Sequence, residues 1–170
     1  MGFFSRLMGG SDGQKTAACE FVILAPVSGE LVHLENTNDP AFSSRAVGDG
    51  VAVVPQEGTV CAPVSGTVAA LFPTEHALGI MSDDSSAQVM LHIGIDTVKL
   101  EGKGFHALVA QGDHVDAGQP LVEVDFDAVR AAGFDPTVFV IVCERSENST
   151  LREHASGPVA VKEPVVWLFE

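Results

Sequence analysis

An antiparallel all-β fold, a sandwich or barrel-like sheet with only short helices, is what this sequence predicts. Short apolar runs rich in Val, Ile and Leu recur along the chain, and Gly, Pro and Asp separate them, with 17 glycines and 9 prolines in 170 residues. A turn-plus-strand unit is also repeated. Ala25-Pro26-Val27-Ser28-Gly29 returns as Ala62-Pro63-Val64-Ser65-Gly66, and Gly157-Pro158-Val159-Ala160-Val161 is a fainter echo. The repeat fits a pseudo-symmetric sandwich, and it fits equally a common turn used twice.

In chain order, residues 1–18 read as a flexible tail. Residues 9–18 have linker composition, and Phe3, Phe4, Leu7 and Met8 fall close to one helical face. With Arg6 and Lys15 as its cations, the tail is expected to be disordered and to touch a lipid surface weakly at most. Residues 19–170 read as one domain. Its predicted strands cover Phe21–Leu24, Leu31–Leu34, Val51–Val54, Thr67–Phe72, Val89–Ile95, Leu121–Val124 and Val138–Val142. Each is too short for a helix and rich in β-branched residues. A helix is predicted at 127–132, capped by Asp125 or Asp127 and stopped at Gly133.

Composition excludes several classes. There are 23 acidic against 9 basic residues, a net charge of −14, so nucleic acid is not an expected partner. The acidity fits solubility and attraction to basic partner surfaces. Cys19, Cys61 and Cys143 form no CxxC pair, which points to a reducing compartment. The opening residues are too short an apolar patch for a signal peptide, Arg6 breaks the myristoylation pattern, and no run is long enough to cross a membrane. A cytoplasmic location is expected.

The chemistry centres on residues 89–98. In a strand, Val89, Leu91, Ile93 and Ile95 fall on one face, and Met90, His92, Gly94 and Asp96 on the other. Glycine at that position marks close approach by a ligand or another backbone. Upstream, His76 lies two residues after Thr74. Two histidines without a lysine-bearing phosphate loop point to a phosphoryl group carried on an imidazole nitrogen. With an ordinary pKa near ~6.5, such a ring is nucleophilic at neutral pH.

The segment Leu91-His92-Ile93-Gly94-Ile95-Asp96-Thr97-Val98 resembles the phosphohistidine signature of the glucose-family enzyme IIA proteins of the bacterial phosphoenolpyruvate-dependent sugar phosphotransferase system. The likeness runs in the family's order through residues 25–30, 47–52, 62–67, 74–77, 103–105 and 112–118. One departure is Ser86, where a glycine is usual. The resemblance implies that His92 accepts a phosphoryl group on the nitrogen remote from Cβ. His76 would stabilise the phosphoryl oxygens, and Thr74 would orient His76. HPr would be the donor and a cysteine of a IIB domain the acceptor. Asp39 and Asp96 would meet basic partner residues and help to eject the phosphate. Phe42, Val47, Phe72, Leu78 and Met90 would form an apolar docking patch. It implies binding of regulatory targets according to phosphorylation state; no cofactor is expected, and with no IIB or IIC sequence attached a free-standing subunit is expected. The sugar stays open, because a IIC partner recognises it.

Each assignment has a plainer counterpart. Asp39 also fits a cap before Pro40, and Val47 and Leu78 fit core positions. His33, His106, His114 and His154 read as ordinary histidines. Two rival functions remain at this level. A zinc hydrolase of a related β-fold would need a close His-x-His pair, and Gly94 stands where its second histidine would be. Zinc bridging His76 and His92 stays open when a partner adds a carboxylate, but no metal is required. Residues 112–124 also resemble a strand-turn element of biotinyl and lipoyl domains, yet Lys99 and Lys103 lack the context of a cofactor-bearing lysine. A non-catalytic regulatory module is the remaining alternative.

Overall fold

The computed structural model describes residues 19–169; the tail at 1–18, with its expected disorder and lipid contact, lies outside them. The strands are β1 (Cys19–Leu24), β2 (Gly29–His33), β3 (Asp49–Pro55), β4 (Thr59–Cys61), β5 (Gly66–Leu71), β6 (Ala77–Ser82), β7 (Ala87–Ile93), β8 (Phe105–Ala107), β9 (His114–Val115), β10 (Pro120–Val124), β11 (Val138–Arg145), β12 (Thr150–Glu153), β13 (Gly157–Val159) and β14 (Pro164–Phe169). The helices are α1 (Pro40–Ser43) and α2 (Phe126–Ala131), with 3-10 turns at Leu34–Asn36 and Thr97–Leu100. The fold is all-β, and its ladders are antiparallel.

An eight-stranded sheet runs β13-β2-β3-β11-β7-β6-β5-β9, beside three-stranded sheets β1-β14-β12 and β4-β10-β8. Both orders repeat about a pseudo-twofold axis between β11 and β7, where Val140 lies opposite Leu91. The sequence repeat is the local expression of this symmetry. Ala25 N donates to Glu163 O at 2.7 Å and Lys162 N to Ala25 O at 2.9 Å. In the second copy, Ala62 N donates to Gln119 O at 2.8 Å and Gly118 N to Ala62 O at 2.7 Å. Ser28 Oγ accepts from Val161 N, and Ser65 Oγ accepts from Ala117 N. A Cβ on Gly29 or Gly66 would strike the carbonyl of Val54 or Met81, so each turn needs its glycine for close backbone approach.

The alternation of side chains splits the apolar residues between two faces of the large sheet. Val138, Val140 and Val142 of β11 and Val89, Leu91 and Ile93 of β7 belong to the main core with β1, β10 and β14. Phe139 and Ile141 turn the other way, into a smaller cluster with Leu34, Phe42 and Ala52. Met90, Ile95 and Cys143 pack against that second cluster, and the candidate site is built on its face.

Several elements differ from expectation. β7 ends at Ile93 rather than Ile95, because Gly94 takes φ 80° and Asp96 φ 60°. Leu34 leaves β2 for a 3-10 turn and Phe72 lies beyond β5. β6 and β14 were not expected as strands. Residues 77–82 show no alternation because β6 is buried on almost every residue, and β14 opens with Pro164, which a strand tolerates at its first position. Helix α2 is capped by Asp125, whose carboxylate accepts from Ala128 N, and Gly133 follows it at φ 88°. At the Ser86 departure, Asp84 accepts from the hydroxyls of Ser82 and Ser86 and from Ser86 N, while Ser85 supplies the left-handed residue.

Candidate functional site

His92 ends the outward-facing series of β7, and two connectors converge on it. Residues 72–76 join β5 to β6; residues 34–48 join β2 to β3. Ladder pairing puts Ala77 opposite His92, and Ile93 N donates to His76 O at 2.7 Å. The two imidazoles therefore meet, with ring centroids 5.1 Å apart and planes at 85°. Glu75 holds the shorter connector in place: it takes φ 61°, and its carboxylate accepts from Ala107 N on β8.

Each ring is fixed through Nδ1. Thr74 Oγ1 lies 2.6 Å from His76 Nδ1. His92 Nδ1 lies 2.8 Å from Gly94 O. A carbonyl can only accept, so His92 carries its proton on Nδ1 and leaves Nε2 with a free lone pair. Gly94 contributes this acceptor because its chain turns sharply. Gly94 N and Ile95 N donate to Thr137 O and Asp135 O. A Cβ on Gly94 would collide with Thr97 Cγ2 and sit 3.0 Å from Asp135 O. The glycine thus serves tight packing against the 135–137 segment, a correction to its expected place on the His92 face of the strand.

Burial holds the pKa of His92 below the ordinary histidine value, against the upward pull of the Gly94 carbonyl and of Asp39 and Asp96. Burial, and then the nearby His92, also lowers His76. Both rings are accordingly neutral at pH 7. His76 is 5% exposed and His92 is half-buried.

The remaining expected residues divide. Asp39 is half-buried and caps α1, accepting from Ala41 N at 2.9 Å, so the capping expectation holds while its charge still reaches His92. Asp96 is exposed beside Lys99. Phe42 stacks on Phe139 with centroids 4.4 Å apart and lies 5.1 Å from the His92 ring. Phe72 is 49% exposed, with its ring 5.6 Å from that of His76. Met90 is half-buried on the same face, and Val47, which fitted either the patch or the core, is exposed. Leu78 is a correction: it is fully buried in the main core, on the opposite face of β6, and offers a partner no surface. An unforeseen neighbour of the His92 ring is Phe139, fully buried and directly across the ladder from it. Its apolar run was legible, but not the pairing that brings it there.

Neither histidine lines the groove of about 620 Å³ between Val32, Asn38, Arg130, Phe134 and Asp135, or the hollow of about 500 Å³ around Phe105 and His106. Among the described residues no three His, Cys, Asp or Glu side chains gather as a metal cluster. None of their helices is long and apolar enough to cross a membrane.

A family model described as phosphoenolpyruvate-dependent sugar phosphotransferase system, EIIA 1, matches residues 21–148. The glucose-specific EIICBA component of the phosphotransferase system of Streptococcus pneumoniae is 41% identical over 143 residues, 84% of this chain and 20% of that protein. The chain thus spans about a fifth to a quarter of the length of the first fused relatives it matches. The glucose-specific EIIA component of Halalkalibacterium halodurans is 36% identical over 156 residues, 90% of each chain. The solved glucose permease IIA of Mycoplasma capricolum superposes with a TM-score of 0.80 at 34% identity, covering 88% of this chain and 96% of that one.

Proposed function

This chain belongs to the EIIA 1 family of the phosphoenolpyruvate-dependent sugar phosphotransferase system, and from that membership we propose that His92 Nε2 accepts a phosphoryl group from the phosphohistidine of HPr and passes it to a cysteine of a IIB domain. The observation that carries this reading is the bond from His92 Nδ1 to Gly94 O at 2.8 Å, which leaves Nε2 unprotonated and aimed by a rigid strand end. In the first transfer the Nε2 lone pair forms the new P–N bond as the donor's P–N bond breaks. The proton stays on Nδ1 throughout, hydrogen-bonded to the Gly94 carbonyl. In the second transfer a thiolate sulfur takes the phosphorus, and the electron pair returns to Nε2.

His76 is the electrostatic partner. With the Thr74 hydroxyl donating to its Nδ1, the ring carries hydrogen on Nε2 and donates it to a phosphoryl oxygen as the charge moves. The placement of the half-buried His92 ring outside the grooves, with His76 buried beside it, supports handover between proteins rather than capture of a small molecule. Phe72, Val47 and Met90 supply an apolar rim, with the buried Phe42 backing the His92 ring, and Asp39 and Asp96 supply charge for a basic partner. Phosphorylation adds negative charge to this face, so regulatory partners that bind it would be released. The phosphocarrier domain is residues 19–170, acting in the cytoplasm, with 1–18 as a tail.

The test is phosphate uptake from phosphoenolpyruvate with enzyme I and HPr, read by intact mass. Wild type should gain one acid-labile phosphate and His92→Ala none. His76→Gln should accept phosphate but fail to pass it to IIB. No uptake by wild type with active donors would overturn the reading.

A further inference from the structure

The 34–48 connector is fastened just beyond α1 by a group whose partners include neither His76 nor His92. Arg45, just beyond α1, takes φ 60° and donates its backbone N–H to Phe42 O at 3.0 Å. Its guanidinium reaches three carboxylates. Nη1 lies 2.7 Å from Glu153 Oε1 and 3.3 Å from Asp49 Oδ1; Nη2 lies 2.9 Å from Glu35 Oε2 and 3.5 Å from Glu153 Oε2. Glu35 and Asp49 stand at the two ends of the connector, whereas Glu153 belongs to β12, in a different sheet. The Glu153 side chain is only 13% exposed and also meets His33 Nδ1 at 2.8 Å. A forked, partly buried guanidinium–carboxylate pair resists bending more than a solvated one does.

We infer that Arg45 and Glu153 are positioning residues for the transfer site, a clamp between sheets that holds the connector so that Phe42 stays against the His92 ring. This rests on the reading of His92 as phosphoryl acceptor. The geometry gives the clamp its leverage: Phe42 precedes Arg45 by one helical turn and is wedged between Phe139 and His92. The shorter connector has its own tie, from Glu75 to β8. The charged or titratable groups facing His92 are His76, Asp39 and Asp96. Those of the clamp are Glu35, Asp49 and Glu153, with His33 on Glu153 and Arg145 on Asp49.

The experiment is a proton-NMR titration of the His92 and His76 rings in the unphosphorylated protein, for wild type, Arg45→Met, Arg45→Lys, Glu153→Gln and Phe42→Ala. Loosening the clamp admits water to His92, so its midpoint should rise by roughly half a unit in both Arg45→Met and Glu153→Gln, while that of His76 stays. Arg45→Lys should restore part of the shift. A through-space charge effect would instead move the Arg45→Met and Glu153→Gln midpoints in opposite directions. In a Phe42→Ala background, Glu153→Gln should shift His92 no further, and in the wild-type background it should slow transfer from HPr roughly tenfold. An unchanged His92 midpoint in both clamp variants, opposite shifts, or a full further shift without Phe42 would each overturn the clamp. The titration of the unphosphorylated protein reads the ring whether or not it can accept phosphate. Failure of phosphate uptake with shifted midpoints would therefore refute the acceptor role and leave the clamp supported.

Discussion

The two halves of the large sheet share one plan and put it to different use. Register equates β2–β3 with β5–β6 and β11 with β7, so the place of His92 in one half is taken by Ile141 in the other. Ile141 is fully buried, sealed into the small cluster with Leu34 and Phe42. His92 keeps one edge open. The connectors account for the difference. The longer one folds α1 over its own half, buries Ile141 and reaches the His92 ring through Phe42; the shorter one carries no helix and contributes Thr74 and His76 instead. The site is therefore the repeat in which the lid is missing.

Transplanting the histidine should break this comparison most severely. Ile141→His places an imidazole where no carbonyl has been turned to receive Nδ1–H. It should cost about 3 kcal/mol of stability, read by urea denaturation, and in a His92→Ala background it should not restore phosphate uptake. Gly94→Ala tests the local turn alone. A methyl group driven against Thr97 at positive φ should cost about 2 kcal/mol and reduce phosphate uptake, because the carbonyl that fixes His92 moves.

The histidine half should also be the acid-sensitive one. Both rings have lowered pKa values in the folded state, so the unfolded chain takes up protons first. Stability from this source should fall as pH drops below about 6.5, with the full loss reached below the lowered folded values. Urea midpoints at about pH 7.5 and about pH 5.5 measure this effect, and His76→Gln with His92→Gln should flatten the difference. The hydrogen-bonded carboxylates Asp84 and Asp135, also lowered, act in a separate window below about pH 4. The mildest test sharpens the symmetry itself. Ser28→Ala and Ser65→Ala remove matching bonds, to Val161 N and Ala117 N, and each should cost about 1 kcal/mol. Unequal losses would show that the two turns carry different loads.

Legibility followed the physics of each region. The pairing of apolar and polar faces along residues 89–93 was plain, because one face of β7 is core and the other is the site. The α2 cap and its Gly133 stop were plain for a similar local reason. β6 was hidden because almost all of its residues are buried, which erases alternation. Gly94 was visible as a position of close approach by a ligand or another backbone, and backbone is what approaches it, though not which segment. Only the fold reveals that Thr97 and the 135–137 segment crowd it. Phe139 and the Arg45–Glu153 clamp were beyond sequence reasoning, since both depend on partners distant in the chain. Leu78 was misassigned for a related reason: its neighbours Ala77 and Gly79 face the site side, and one step along a strand reverses the face.

The eight-stranded sheet also ends in a particular way. Its outermost strands are β9, with two residues, and β13, with three, and β13 carries Pro158 in its middle. Proline has no amide hydrogen to offer a neighbouring strand, and a strand this short gives an intruder almost no ladder to extend. A sheet this wide, with two long open margins, would be a template for uncontrolled assembly of one molecule onto the next. Stubby margins remove that template, so the molecule can leave Phe72 and its apolar neighbours open without inviting aggregation along the edges of the sheet.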